Sequence, residues 1–517
     1  MQLVRRFRLP ALFCALAVLF CELISRPYAE MGISDDGPYI LMARHLARTG
    51  HIVFNGWAAP LLGWQLYLGA AFVKLFGFSF TAVRMSTLLV AVATAWLLQR
   101  TLVLAGVNER NATLGTLAFV LSPLYLMLSV TYMSDIFGLF AVVICLYGCL
   151  RALRASTERA AIAWLCFAVA TNAIFGTARQ IAWLGILVMV PSTLFVIGWP
   201  GTPDWRAALR ERRRVLLAGC AATVAGAVFI FACMQWLGRQ PWIQPEHLIP
   251  NTFPIGRTWR EVGEFLMDAP FLLLAMVALF LPQIRRASRR AGTVAFLVSL
   301  AYTLRILYAV CRPGRAVSHL LEPTHQSLGN WVGIHGIHEG IHLLGDMPIF
   351  LHPWMQWVVT FVSLGGVLGL IISALPSTRR MPIRKAADTN PRVSWRQLGV
   401  LLGPFALVYT LLLVPRASIG WVFDRYLLEL LVVALLCLVR YYQERVSPQL
   451  PRSALLLVGL TAVYGVACTH NMCALYRARV TLAAEIQASG VPDTSVDYGF
   501  EYNFGTELQH SDHLRSL

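Results

Sequence analysis

The sequence predicts an all-α, polytopic membrane protein of about thirteen transmembrane helices, and three observations predict it. Of its 517 residues, 57% are hydrophobic and only 13% are charged, where a soluble domain is about one quarter charged. Apolar runs of about twenty residues recur to the end of the chain, each long enough to cross a hydrocarbon core. The basic residues gather in short segments between alternate runs, as they do in cytoplasmic loops.

Taken in order, Arg5-Arg6-Phe7-Arg8 precedes an apolar stretch at 9–26 and has the outline of a signal peptide. No A-x-A-like cleavage site follows, so the stretch is read as a retained first helix. The segment 27–80 forms the first outer loop, with an amphipathic stretch at 38–49 and an apolar stretch, Pro60 to Phe78, that is almost long enough to span. Charge decides its fate. If 60–78 stays at the interface, with Trp57, Trp64 and Tyr67 in the aromatic belt, the clusters Arg151/Arg154/Arg159, Arg206–Arg214, Arg285–Arg290, Arg379–Lys385 and Arg440–Arg452 all fall on the side of Arg5-Arg6. That side then holds 26 of the 43 basic residues and only 6 of the 26 acidic ones. If 60–78 spanned, every later cluster would lie outside, against the positive-inside rule.

The remaining spans are expected at 81–106, 111–130, 136–153, 159–177, 181–198, 215–237, 269–284, 291–311, 354–375, 397–414, 422–441 and 453–470. Residues 1–470 form one transmembrane domain, and 471–517 a short outer tail. The outer face then collects 27–80, the turns at 130–136 and 178–180, the loops 238–268 and 312–353, the short loop 415–422 and the tail. The net charge of +17 is explained by topology, which removes nucleic acid as a partner and leaves membrane lipids. The eleven cysteines contain no C-x-x-C and read as small buried hydrophobes; Cys311, Cys468 and Cys473 lie near the outer face, where a disulfide is conceivable.

Chemistry, if present, belongs to that face. Asp35 and Asp36 stand in Ser34-Asp35-Asp36-Gly37-Pro38-Tyr39, and Asp135 in Tyr132-Met133-Ser134-Asp135-Ile136. Asp36 and Asp135 are placed to cap the helices that follow them. They and Asp35 also suit a general base acting on an acceptor hydroxyl, with neighbours that hold a sugar or tune basicity. Arg179 stands at the outer junction of two spans, and Arg425 just inside the outer end of another, next to Asp424 and one helical turn from Glu429. Both guanidinium groups suit a lipid-linked phosphate.

The order of these segments resembles the GT-C glycosyltransferases, and within them the branch of protein O-mannosyltransferases and bacterial lipid A aminoarabinose transferases. Ser34 to Tyr39, a helix ending Leu46-Ala47-Arg48-Thr49-Gly50, an interfacial segment ending Lys74-Leu75-Phe76-Gly77 and Ala82-Val83-Arg84 opening a span are similar to that family's first outer loop. Met133-Ser134-Asp135 resembles its second-loop acid, Ala178-Arg179-Gln180 its Lys/Arg-Gln turn and Arg425-Tyr426-Leu427-Leu428 its R-Y-L-L motif. The tail run Val496 to Asn503 is similar to the glycine- and aromatic-rich C-terminal stretch of bacterial members. The resemblance implies Asp35 as catalytic base and Asp135 as supporting acid, with Asp36, Arg179, Arg425 and Tyr426 on the donor. It implies an inverting transfer from a polyprenyl-phosphate-sugar donor to a protein, lipid or glycan hydroxyl, on the periplasmic face of a bacterial inner membrane, with no required cofactor. Ala59-Pro60 departs from the family's Lys-Pro, and Glu429 stands where Pro usually follows the R-Y-L-L motif.

Two other classes compete. His338-Glu339-Gly340-Ile341-His342 is an H-E-x-x-H pattern, with His335 nearby, and would suit a membrane zinc protease. Gly333, Gly336, Gly340 and Gly345 weaken such a helix, while Ile334, Ile337, Ile341 and Leu344 make an apolar stripe suited to an interfacial helix. A structural divalent metal in this outer loop remains compatible with either form. A lipid or glycan flippase would instead place its charges and broken helices at mid-membrane.

Overall fold

A computed structural model describes residues 9–57, 63–199, 209–243, 269–286, 352–375, 393–419, 423–511 and 513–514, with scattered positions between 254 and 301. The H-E-x-x-H stretch, Ala59-Pro60 and most of the span expected at 291–311 lie outside the described residues.

The described chain is helical. In order come α1 (Leu9–Ser25), α2 (Asp36–Thr49), α3 (Trp64–Phe76), α4 (Phe80–Leu104), α5 (Glu109–Val120), α6 (Pro123–Ser129), α7 (Ser134–Leu153) and α8 (Glu158–Phe175). Short irregular turns lead to α9 (Val190–Gly198), followed by α10 (Arg213–Leu237), α11 (Pro353–Ala374), α12 (Trp395–Ile419), α13 (Leu428–Arg445), α14 (Arg452–Ala488) and α15 (Phe500–Ser511). The chain is a multi-pass membrane protein. Among the described residues, eight helices have the length and apolarity to cross a membrane, or nine when the bent pair α5–α6 is one span. Shorter apolar helices at Leu9–Ser25, Leu274–Arg285 and Val358–Ala374 coincide with further expected spans. Within the described residues, which leave out most of 291–311, this measure reaches eight or nine of the thirteen expected spans.

The bundle is built around α4 and α7, which pack on each other; α1 lies against α4, and α8 against α7. Side-chain caps fix the starts of α4, α5 and α8. Ser79 Oγ accepts from the Ala82 N–H at 2.8 Å, Asn108 from Asn111, and Thr157 from Ala160. The interfacial helix expected at 60–78 is α3, whose thirteen residues pack on α2 and α4. At 1.5 Å per residue it is about 20 Å long, too short to cross.

Two expected spans are not regular α-helix throughout. The run 111–130 bends by 68° between α5 and α6. Pro123 opens α6 after an extended Ser122, because the proline ring disfavours helical backbone in the residue before it. The run 181–198 begins with 3-10 and π turns before α9. Asn172 of α8 stitches this irregularity: its amide donates to the carbonyls of Ala141 and Ala182, both at 3.0 Å, and accepts from the Ile186 N–H at 3.1 Å. With Asn172 fully buried, Asn172→Leu should cost about 3 kcal/mol by orphaning these groups, read as a lower unfolding midpoint in detergent.

At the end of the bundle opposite Asp35, side chains satisfy the carbonyls that end α4. Arg154 donates to Leu104 O, Arg440 to Ala105 O at 2.8 Å and Gln443 to Gly106 O. The other end carries the candidate site. There α14, about 55 Å long for its 37 residues, continues past the boundary drawn at 470/471 and carries the tail back to α15, which lies on α2. Cys468 and Cys473 are buried free thiols on α14.

Candidate active site

The site begins with the turn before α2. Asp35 occupies the N-cap position of α2 but makes no side-chain cap bond. Asp36 and Asp135 lie in the first turns of α2 and α7. None of the three spends its carboxylate on its own helix end, and each meets an arginine from a distant segment instead.

Asp36 is fully buried. It receives Arg84 of α4 through both oxygens, at 2.7 and 3.0 Å, and the N–H groups of Ile33 at 2.7 Å and Tyr132 at 3.1 Å. The same guanidinium donates to the carbonyls of Ala29 and Met31. Arg84 and Asp36 thus tie the turn 29–36 to α4 and to the entry of α7. The donor contact expected for Asp36 has no free oxygen in this arrangement, and the residue is placed as a buried strut.

Asp35 faces the other way. Its carboxylate is 30% exposed and pairs with Arg425 at 3.2 Å. Asp135, 2% exposed, pairs with Arg179. Arg179 sits in extended backbone between two 3-10 turns. Its stem runs against α7 at Gly138, where any side chain would collide with it. The two ion pairs meet at Tyr426, whose ring lies 5.1 Å from the Arg179 guanidinium carbon and 5.6 Å from that of Arg425. Arg425 also covers Phe423 at 4.5 Å. Asp35, Asp135, Arg179, Arg425 and Tyr426 therefore form one cluster at one end of the bundle, assembled from α2, α7, the α8–α9 junction and the entry to α13.

The two local acids considered for Arg425 each accept a hydrogen bond that does not come from its guanidinium. Asp424 accepts the Arg425 backbone N–H at 2.8 Å. Glu429 lies 2.8 Å from the Tyr409 hydroxyl, which also reaches the Tyr426 carbonyl at 3.0 Å. Tyr409, Gly138 and Tyr39 are contributors that sequence reasoning missed. Tyr39, 3% exposed, is one turn beyond Asp35. Burial raises its phenol well above the ordinary value, and the Asp35 charge pushes the same way, so it stands beside the cluster as a neutral hydroxyl.

The cluster offers a reachable carboxylate beside two guanidinium groups. Asp36, Asp135, Asp424 and Glu429 are all 2% exposed or less, so among these carboxylates only Asp35 is open to an incoming hydroxyl. The guanidinium groups, kept charged at any accessible pH, suit an anion with planar oxygens. Among the described residues, no group of three or more His, Cys, Asp or Glu is arranged to hold a metal ion.

No family model matches the chain, and no curated protein matches it. Among solved structures, it is similar to ArnT from Cupriavidus metallidurans in the apo state, at 14% identity and a TM-score of 0.45 over 96% of this chain and 84% of that one. The same protein bound to undecaprenyl phosphate gives 14% and 0.44 over the same shares. The archaeal oligosaccharyltransferase AglB from Archaeoglobus fulgidus, in complex with an inhibitory peptide and a dolichol-phosphate, gives 12% and 0.36 over 90% of this chain and 56% of that one. Likenesses this distant assign no activity, and the side chains of the cluster must carry that reading.

Proposed function

We propose that the protein is an inverting glycosyltransferase that moves a sugar from a polyprenyl-phosphate carrier to a hydroxyl acceptor, at the outer face of a bacterial inner membrane. The observation that carries this reading is the pairing of one exposed carboxylate, Asp35, with Arg425, across Tyr426 from Arg179. The order of the sequence motifs supports it. So does the setting, a membrane bundle whose charged cluster lies at one end.

Asp35 accepts the proton of the acceptor hydroxyl as its oxygen attacks the anomeric carbon. The bond between that carbon and the phosphate oxygen breaks, and the electron pair leaves with polyprenyl phosphate. Arg179 and Arg425 neutralise the charge that builds on this leaving group. Asp135 holds Arg179 in place. The proton left on Asp35 passes to solvent through its exposed edge. The rings of Trp64, Phe175 and Phe140 pack on one another with centroids 4.6 and 5.0 Å apart, and Phe140 also lines, with Trp96, Tyr147 and Trp164, an apolar groove of about 620 Å³ that suits the carrier chain.

The direct test is transfer from labelled polyprenyl-phosphate sugars by the purified protein in nanodiscs, together with mass spectrometry of surface glycans from cells with and without the gene. No transfer from any such donor, with unchanged surface glycans, would overturn the reading. Arg179→Lys and Arg425→Lys keep the charge but lose the planar fork, and each should raise KM for the donor by about tenfold. Unchanged donor kinetics in both would remove the arginines from the phosphate site.

A further inference from the structure

We propose that Glu501, in the C-terminal tail, is a positioning residue that sets the aim of Asp35. This rests on the transferase reading for its functional half and on geometry alone for its structural half. The turn that presents Asp35 is held on one side by Arg84 and Asp36. On the other side, Ser34, immediately before Asp35, has a φ of 54°, a left-handed backbone that a serine adopts only when its surroundings hold it. The Ser34 N–H points at Glu501 Oε1 and at the Tyr476 hydroxyl, both at 3.3 Å. Tyr476 of α14 is fully buried and donates to the same Glu501 oxygen at 2.6 Å. The second oxygen of Glu501 takes Arg479 at 2.8 Å, and Arg479 also reaches the Tyr498 carbonyl.

Beside this latch, the ring of Phe504, one turn further along α15, closes over Gly32 and Gly37, where any Cβ would strike it. Beyond α15, the Leu514 N–H donates to the Asn55 carbonyl at 2.9 Å. The tail therefore seats on the loop at three separate points, and the charged one ends on the backbone next to Asp35. Arg84 and Asp36 fix the depth of the turn. Glu501 fixes its rotation, and with it the direction in which Asp35 leaves the backbone. Because Arg179 and Arg425 come from other segments, loosening the latch should impair proton transfer while leaving phosphate binding intact.

The test measures hydrogen–deuterium exchange across residues 31–42 and transfer kinetics side by side, for the full-length wild type, Glu501→Ala, Glu501→Gln and Tyr476→Phe. Glu501→Ala should speed exchange at 31–36 by about tenfold. It should lower kcat by about 100-fold while donor KM moves less than about threefold. Glu501→Gln, whose amide oxygen can still accept the Ser34 N–H, should recover most of kcat. Tyr476→Phe removes a single hydroxyl and should give a smaller loss of the same kind, which keeps the test open if Glu501→Ala does not fold. Unchanged exchange at 31–36 in both Glu501→Ala and Tyr476→Phe would overturn the latch. So would a loss expressed in donor KM with kcat untouched. If the wild type transfers nothing, the transferase reading fails, and exchange alone still decides whether the tail holds the turn.

Discussion

Asp35→Asn should lower kcat for sugar transfer by about 1,000-fold, within the range for a lost general base, while the protein stays folded and keeps its affinity for polyprenyl phosphate. The asparagine is nearly isosteric, and its oxygen can still accept from Arg425, which lies 3.2 Å from the carboxylate. What disappears is the capacity to take a proton. The cost to folding should be small, because the side chain is 30% exposed and makes no cap bond to α2. Binding of the product carrier is the control that separates chemistry from architecture. If Arg425 serves the phosphate, removing the negative charge beside it leaves that binding equal or tighter. A variant retaining more than about a tenth of wild-type kcat would take the base away from Asp35. Loss of carrier binding in parallel with kcat would show that the residue serves the donor instead.

How much of this site was legible in the sequence depends on the range of each contact. That the candidate residues share one end of the bundle was legible, because charge in short loops assigned them to one side; Asp35, Asp135, Arg179, Arg425 and Tyr426 meet there, while Asp36 turns inward to Arg84. Their pairing was not. The local partners weighed for Arg425, beside a lipid-linked phosphate, were its neighbours Asp424 and Glu429, yet a carboxylate partner lies 390 positions away. Helical spacing reports contacts three or four residues apart and is silent about those made by packing α13 near α2. Asp36 is similar: a helix-start acid reads as a cap, but its four hydrogen bonds come from Arg84 of α4, Ile33 in the turn before it and Tyr132 on the approach to α7. The irregular helices were not foreseen: 111–130 and 181–198 were both expected as plain spans, although Pro123 marks the first bend, whereas the turns at 180–189 are held by one asparagine from the preceding helix. Tyr409 had no local pattern to mark it, since a tyrosine in an apolar helix reads as core, and Tyr39 stood in the run Ser34 to Tyr39 with nothing there to single out its hydroxyl.

The second large effect falls on Asp36, and it separates the two members of the acidic pair. Asp36→Asn should destabilise the protein by about 3–5 kcal/mol, the cost of breaking a buried ion pair from one side, and lower the unfolding midpoint in detergent by at least about 5 °C. The reason is arithmetic of partners. The carboxylate accepts four hydrogen bonds, and an amide of the same shape turns one of those acceptors into a donor facing a donor. Arg84 would keep its charge in a fully buried site with no opposite charge in contact. Removing both sides should hurt less than removing one: Asp36→Leu with Arg84→Met leaves no buried charge, and should recover part of the loss. The turn 29–36 would still lose the bonds that Arg84 donates to the Ala29 and Met31 carbonyls, so transfer should stay low in the double variant even where stability returns. Asp35→Asn predicts the reverse pattern, full stability with lost turnover. A midpoint shift for Asp36→Asn no larger than that for Asp35→Asn would show that the two adjacent carboxylates do not divide structure from chemistry in this way.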